Sequence, residues 1–197
     1  STALTLAERG YKVVLLEQNQ IGWGASGRNG GQMIAGISGE ARFKKQMGAA
    51  GARVLEAIRY RGHEIIEKRV ERFAIACDWR NGYVEAAVKP RHLMGLEAFA
   101  EELAGYAGGD KHLELVDQAG MARLLGTDAY HGGLIDRRNA HCHPLNLCLG
   151  EARGAASLGV RIFEGAPVSE IVHGVKPVVV TGSGRVTCST VVLAGNA

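Results

Sequence analysis

The stretch Gly10-Tyr11-Lys12-Val13-Val14-Leu15-Leu16-Glu17, followed shortly by Gly22-Trp23-Gly24-Ala25-Ser26-Gly27-Arg28-Asn29-Gly30-Gly31-Gln32, decides how this chain reads. Tyr11 to Glu17 is a short apolar run without alternation, the pattern of a strand covered on both faces in a parallel sheet. Upstream, Ser1 to Gly10 reads as the later turns of a helix, and Gly10 suits the left-handed position just past a helix C-terminus. Helix, glycine, buried strand and acidic end make the second half of a βαβ unit, so the chain reads as beginning inside an element.

In dinucleotide-binding βαβ units an acidic residue ends the second strand and accepts hydrogen bonds from the adenosine ribose. It follows the glycine fingerprint by about 20 residues, which places the fingerprint's last glycine just before Ser1. A strand ending in glutamate is common, so Glu17 alone leaves both a cofactor role and a plain strand end open. The loop that follows narrows the choice. Its glycines let backbone N–H groups turn toward one anion. Ser26 adds a hydroxyl, and Arg28 adds a fixed cationic fork suited to phosphate. Asn29 tolerates left-handed backbone and can bond within its own loop. A flexible surface loop has little need of Trp23 or of an arginine among glycines, so a diphosphate-binding loop is the preferred reading.

The totals agree with a soluble globular protein. The chain has 197 residues, 46% hydrophobic and 22% charged, enough to bury a core in one domain or two small ones. Its 28 glycines are about twice the ordinary share of roughly 7%, which implies many tight turns. A formal charge of +3 is too small to argue for nucleic acid or an anionic membrane. Cys77, Cys142, Cys148 and Cys188 form no C-x-x-C pair, and a reduced, cytoplasmic chain is the simpler expectation. No apolar run approaches the roughly 20 residues of a membrane span, and no signal-peptide pattern opens the chain.

Outward from the loop, the spacing of Val54, Ile58, Ile65, Ile66 and Val70 predicts one long helix over 41–73. Its arginines and lysines alternate with Glu56, Glu64, Glu67 and Glu71, the pattern of a solvated face rather than a nucleic-acid surface. A strand is expected over 81–88, a helix from Pro90 to about Tyr106 stopped by Gly108-Gly109, and a strand over 112–116. Asp117 should cap a short helix to Leu125, and Gly132 to Asp136 should form a strand. A helix from Pro144 to about Leu158 precedes strands at 160–163, 168–172, 177–181, 186–188 and 190–193. The pair His141 and His143 invites a metal reading, but no further ligand cluster lies nearby, so packing beside Pro144 is preferred. Trp23 and Tyr83 could line a site, although aromatics are ordinarily core.

Glu17 with Gly24-Ala25-Ser26-Gly27-Arg28-Asn29-Gly30-Gly31 resembles the cofactor site of the D-amino-acid-oxidase-like flavoprotein family. That family includes glycine and sarcosine oxidases and the bacterial γ-glutamylputrescine oxidoreductases, and the Ser-Gly-Arg-Asn-Gly-Gly-Gln run is most similar to the last. The resemblance continues through Gly132-Gly133-Leu134-Ile135-Asp136, His143-Pro144-Leu145, Gly159 to Glu164, Val168, and Val191-Val192-Leu193-Ala194-Gly195. It implies that Glu17 holds the ribose and that Ala25, Ser26, Gly27, Arg28, Asn29, Gly30, Gly31 and Gln32 contact the diphosphate and flavin. It further implies that Val168 meets the adenine through its backbone and that Ala194 and Gly195 pass close to the cofactor. With no histidine between Gly22 and Gln32, FAD is expected to be held non-covalently.

The expected fold is α/β: an FAD/NAD(P)-binding Rossmann-like domain from residues 1–40 and 144–197, with a partial α+β substrate domain, 41–143, inserted. The resemblance implies an FAD-dependent oxidoreductase that oxidises the C–N bond of an amine or amino acid to an imine, with hydrogen peroxide formed on flavin reoxidation. Its partner is a small-molecule amine or amino acid, with no nucleic acid and no membrane span; no catalytic residue is identified. Two alternatives stand beside this. A nicotinamide-dependent oxidoreductase would also need Glu17 and a βαβ unit, and an inactive fragment would keep the fold while binding nothing tightly.

Overall fold

The computed structural model describes residues 1–104 and 110–195. In chain order its elements are α1 (Thr2–Glu8), β1 (Val14–Leu16), β2 (Gln32–Met33), α2 (Glu40–Ile58), α3 (Arg61–Arg72), β3 (Arg80–Ala86) and α4 (Pro90–Ala104). After these come β4 (Leu113–Asp117), α5 (Gln118–Leu125), β5 (Gly132–His141), α6 (Pro144–Ser157), β6 (Arg161–Phe163), β7 (Val168–Val172), β8 (Val178–Thr181) and β9 (Gly184–Thr187). Two 3-10 turns lie at Ala25–Gly27 and Asp110–His112. The chain separates into two compact units, Ser1–Asn29 with Pro144–Ala197, and Gly30–His143.

In the first unit β1 and β6 pair in parallel, Val14 opposite Arg161 through Leu16 opposite Phe163. Parallel neighbours need a crossover connection, and the whole second unit lies within it in sequence. Helix α1 ends where Gly10 takes φ +81, a backbone state that costs a residue with a Cβ about 1 kcal/mol or more. Helices α1 and α6 pack together. Leu4 is buried on one, and Gly150, Gly154 and Ala155 on the other; small residues let helix backbones approach. Strands β7, β8 and β9 form a separate antiparallel sheet.

The second unit is built around the long strand β5. Strand β3 pairs with most of its length, while β4 takes Gly132 to Asp136 and β2 takes Ala140 and His141. Helix α4 covers this sheet with a cluster of Ala87, Leu96 and Leu134, joined by Leu93, Ala100 and Leu113. Met121 of α5 is fully buried beside Gly133, where an added Cβ would lie 2.7 Å from its sulfur. The Asp117 carboxylate accepts from Gly120 N at 2.7 Å and caps α5, and Gly126 closes that helix at φ +70, as the sequence predicts.

Three expectations need correction. The single helix over 41–73 is two helices, and α2 is itself interrupted at Gly48, whose φ of 60 and ψ of −159 leave the helical region. The inward stripe is also different. Gly51, Leu55 and Arg59 are buried, whereas Val54, Ile58 and Ile65 are exposed. Hydrophobic spacing located helices, but a buried arginine with carboxylate partners displaced the expected face. Finally, Thr190 to Leu193 is not a strand, and Val192 and Leu193 are exposed. Apolar β-branched residues favour extended backbone, yet a strand also requires a partner edge, and no described strand pairs with this run. The expected end of α4 near Tyr106 and the Gly108-Gly109 stop lie outside the described residues, as do Asn196 and Ala197. Among the described residues no helix is long and apolar enough to cross a membrane.

Candidate functional site

Glu17 follows β1 directly and is fixed by its backbone. Its N–H donates to Phe163 O at 2.9 Å, and its carbonyl accepts from Ala166 N at 2.9 Å. Its carboxylate Oε1 accepts from Asn19 N at 2.8 Å, so the side chain turns back over the loop that starts there. Glu164 does the same from the neighbouring strand end, accepting from Ile21 N at 2.6 Å. Two carboxylates therefore mark the carboxyl ends of the parallel pair, the end of an open α/β sheet where ligands bind.

The glycine loop is tightly folded rather than irregular. Gly22 takes φ +79, and an added Cβ there would lie 2.6 Å from Leu145 Cδ1. Gly27 has a stricter reason to be glycine: a Cβ would fall 2.1 Å from Gly22 O and 2.9 Å from Leu145 Cδ1. The turn at Ala25–Gly27 packs on α6, and Asn29 Nδ2 donates to Ala25 O at 3.0 Å and Ser26 O at 3.2 Å. The Arg28 guanidinium lies 4.6 Å from the Trp23 ring centroid, an exposed cation–π contact worth about 0.5–1 kcal/mol. This gives Trp23 a part in positioning the one arginine of the loop.

The expected nest is narrower than its glycine count implies. The N–H groups of Gly27 and Arg28 donate to Gly24 O and Ala25 O, so they serve the turn itself. Among the described residues the N–H groups of Gly24, Ala25 and Ser26 have no protein partner. Ser26 and Arg28 are exposed beside them. The residues present thus fit an anionic group: donors without partners, a cation, and a close backbone approach that a Cβ would fill.

Glu17 and the loop share one neighbourhood in the first unit through Cys148 on α6. Its sulfur lies 3.6 Å from the position of a Gly22 Cβ. Burial chiefly pushes the Cys148 thiol above its ordinary pKa, with Glu151 and Glu17 adding to the rise. Val168 opens β7 just beyond Ala166 and is exposed. Ala194 and Gly195 are exposed and belong to no element. Gly30, Gly31 and Gln32 belong to the second unit, where Gly31 O accepts from Cys142 N at 3.0 Å and Gln32 pairs with His141 in β2 and β5.

His141 and His143 are both exposed. His143 N donates to Cys77 O at 2.7 Å, while His141 ends β5. Among the described residues no group of three metal-ligating side chains is brought together. Cys77 and Cys142 are buried against one another, and burial pushes the Cys142 thiol up to about 11. A hollow of about 270 Å³ in the first unit is lined by Ile171, His173, Pro177, Ser189, Thr190 and Leu193 among others and by none of the residues above.

Sequence reasoning missed a polar centre in the second unit. Tyr60 and Asp136 are both buried, and Tyr60 Oη donates to Asp136 Oδ2 at 2.6 Å. Asp136 Oδ1 accepts from Arg138 N at 2.9 Å, and the Arg138 guanidinium stacks 3.7 Å from the Tyr60 ring centroid. The partners are too far apart in sequence for spacing to reveal them. Burial, then the Asp136 carboxylate, drives the Tyr60 phenol well above its ordinary pKa. Its proton is held more tightly in the folded than in the unfolded chain, so this contribution is complete below the unfolded value of about 10 and is lost as pH rises above it. Stability measured by denaturant titration should fall between pH 9.5 and 11, and Tyr60→Phe should flatten that fall. An unchanged slope in the variant contradicts the assignment.

The family described as FAD dependent oxidoreductase, DAO, matches residues 1–197. γ-Glutamylputrescine oxidoreductase of Escherichia coli (strain K12) is 42% identical over the whole chain, which spans 46% of that protein. A probable oxidoreductase, OrdL, of Haemophilus influenzae is 40% identical with the same coverage. The chain thus spans about half the length of the curated relatives it matches. Among solved structures, L-amino acid deaminase from Proteus myxofaciens, in complex with anthranilate, aligns with a TM-score of 0.79 at 26% identity, over 98% of this chain and 42% of that one. Glycine oxidase from Geobacillus kaustophilus aligns with a TM-score of 0.73 at 19% identity, over 98% and 50%, a likeness of fold alone.

Proposed function

The chain belongs to the DAO family of FAD-dependent oxidoreductases, with its mixed α/β fold, and from that premise we propose that it contributes the FAD-binding part of an enzyme oxidising the C–N bond of an amine or amino acid to an imine. The observation that carries this reading is the Gly22–Asn29 loop closed against α6 beside Glu17. Bound FAD would supply a hydride acceptor for the carbon bearing the amine. The chain's own residues bind and orient. Glu17 accepts hydrogen bonds from the ribose hydroxyls. Ala25 and Ser26 donate backbone N–H groups, and Arg28 supplies positive charge, to the diphosphate. Gly27 and Asn29 hold the turn in shape. Val168, Ala194 and Gly195, and the continuing Gly30, Gly31 and Gln32, are assigned to the cofactor by family resemblance.

With no histidine between Gly22 and Gln32, this loop would hold FAD non-covalently, and the cofactor would supply reduction of dioxygen to hydrogen peroxide. The enzyme works in the cytoplasm on a small-molecule substrate. The names of its relatives support an amine or amino acid: γ-glutamylputrescine for the E. coli protein and L-amino acids for the Proteus deaminase. The test uses a chimera in which residues 1–197 replace the matching segment of the E. coli relative. After FAD loading and removal of oxygen, a primary amine or an α-amino acid should bleach the visible flavin band. A loaded protein that no amine or amino acid bleaches, but that reduced nicotinamide does, overturns this reading in favour of another reductant.

A further inference from the structure

The second unit encloses a hollow of about 110 Å³ walled by Tyr60, Tyr83, Glu85, Phe99, Asp136 and Asn139, with Arg59 at one side. That is room for a small head group. Its charge is lopsided. Arg59 is neutralised where it sits, donating from one terminal nitrogen to Glu40 and from Nε to Glu56 Oε2 at 3.1 Å. Arg138, on the Tyr60 ring, is paired with Glu64 at 3.5 Å. Among the described residues neither Glu85 nor Asp136 forms an ion pair. Two carboxylates therefore face the hollow with no cation of their own.

The walls add a second preference for positive charge. Tyr60, Tyr83 and Phe99 offer aromatic rings, whose faces attract cations. Two of these rings already do so, Arg138 on Tyr60 and Arg59 at 5.9 Å from Phe99. Position is well fixed: Asp136 is held by Tyr60 and Arg138, and Asn139 Oδ1 accepts from Ala35 N at 2.8 Å. Glu85 is exposed at the rim, so an entering cation meets it without displacing a buried bond.

We propose that this hollow binds the ammonium head of a primary alkylamine, with Glu85 and Asp136 as its counter-charges. Its chemistry separates it from the group that reacts. Oxidation of a C–N bond uses the nitrogen lone pair to form the C=N bond as the hydride leaves carbon. An ammonium has no lone pair, and carboxylates hold the nitrogen in that protonated form. The hollow therefore recognises a nitrogen that is not oxidised, and the substrate carries two nitrogen centres. That last step rests on the function proposed above; the ammonium site does not.

The experiment is a saturation-transfer NMR titration of the 197-residue chain at pH 7 with butylamine, butyrate and 1-butanol as probes. Butylammonium should bind saturably, while butanol and butyrate bind at least about ten-fold more weakly. Glu85→Gln should weaken butylammonium by about ten-fold, the size of one charge-assisted hydrogen bond, with an unchanged melting temperature because the residue is exposed. Tyr83→Leu should weaken it several-fold without altering charge. Butyrate binding as well as butylammonium, equal affinity in the Glu85→Gln chain, or no binding by any probe overturns the proposal. Ammonium binding by a chain that never retains flavin upholds the site and removes only its connection to a two-nitrogen substrate.

Discussion

A chain carrying Gly27→Ala is expected to melt roughly 5–10 °C below the parent and, in the chimera with the E. coli relative, to lose flavin retention altogether. The cause is local and steric. The new methyl would stand 2.1 Å from Gly22 O and 2.9 Å from Leu145 Cδ1. The leucine tip can rotate, but a backbone carbonyl can yield only by reshaping the turn. Overpacking of this kind costs about 1–3 kcal/mol, and the turn it disturbs is the one whose N–H groups are proposed to meet the diphosphate. Gly24→Ala is the control. Nothing lies within 4 Å of an added Cβ there, and φ −81 is open to any residue. Melting should not change. Equal melting and equal flavin content in the Gly27 variant would remove the structural basis assigned to this loop.

The second large effect belongs to Asp136→Ala, expected to cost about 3 kcal/mol, or roughly 6–12 °C in a chain of this size. Asp136 accepts from Tyr60 Oη and Arg138 N in a buried setting, so its loss leaves two donors without their acceptor. Tyr60→Phe removes one donor along with its need and should cost nearer 1 kcal/mol. The double variant should be no worse than Asp136→Ala alone, because residues that share one bond do not add. Melting curves of the three variants check this. A Tyr60→Phe chain as unstable as Asp136→Ala would place the cost in ring packing instead.

Much of the first unit was legible in sequence because its signals are local. Gly10, the Val13 to Leu16 run, Glu17 and the Pro144 helix each announce themselves within a few residues, and β1, β6 and α6 form where expected. The Asp117 cap was legible for the same reason. The glycine loop forms a turn whose own carbonyls take the N–H groups of Gly27 and Arg28, and spacing cannot tell which N–H groups a turn consumes. Non-local features were not legible. Arg59 is buried because Glu40 and Glu56 meet it, and the inward face of α2 follows that pairing rather than Val54 and Ile58. Tyr60 and Asp136 meet through the fold alone. Strand β5 runs on to His141 because three strands share its edges, whereas the Thr190–Leu193 run, lacking an edge, is no strand despite its composition.

We propose that this chain holds FAD through the loop beside Glu17. The most direct test is the visible absorption spectrum of the chimera after incubation with FAD and desalting, for the parent sequence and for Arg28→Ala and Glu17→Ala. A flavin band should be retained by the parent, released on denaturation, and reduced in both variants. A chimera that is folded by circular dichroism yet colourless, or a band that neither variant weakens, contradicts it.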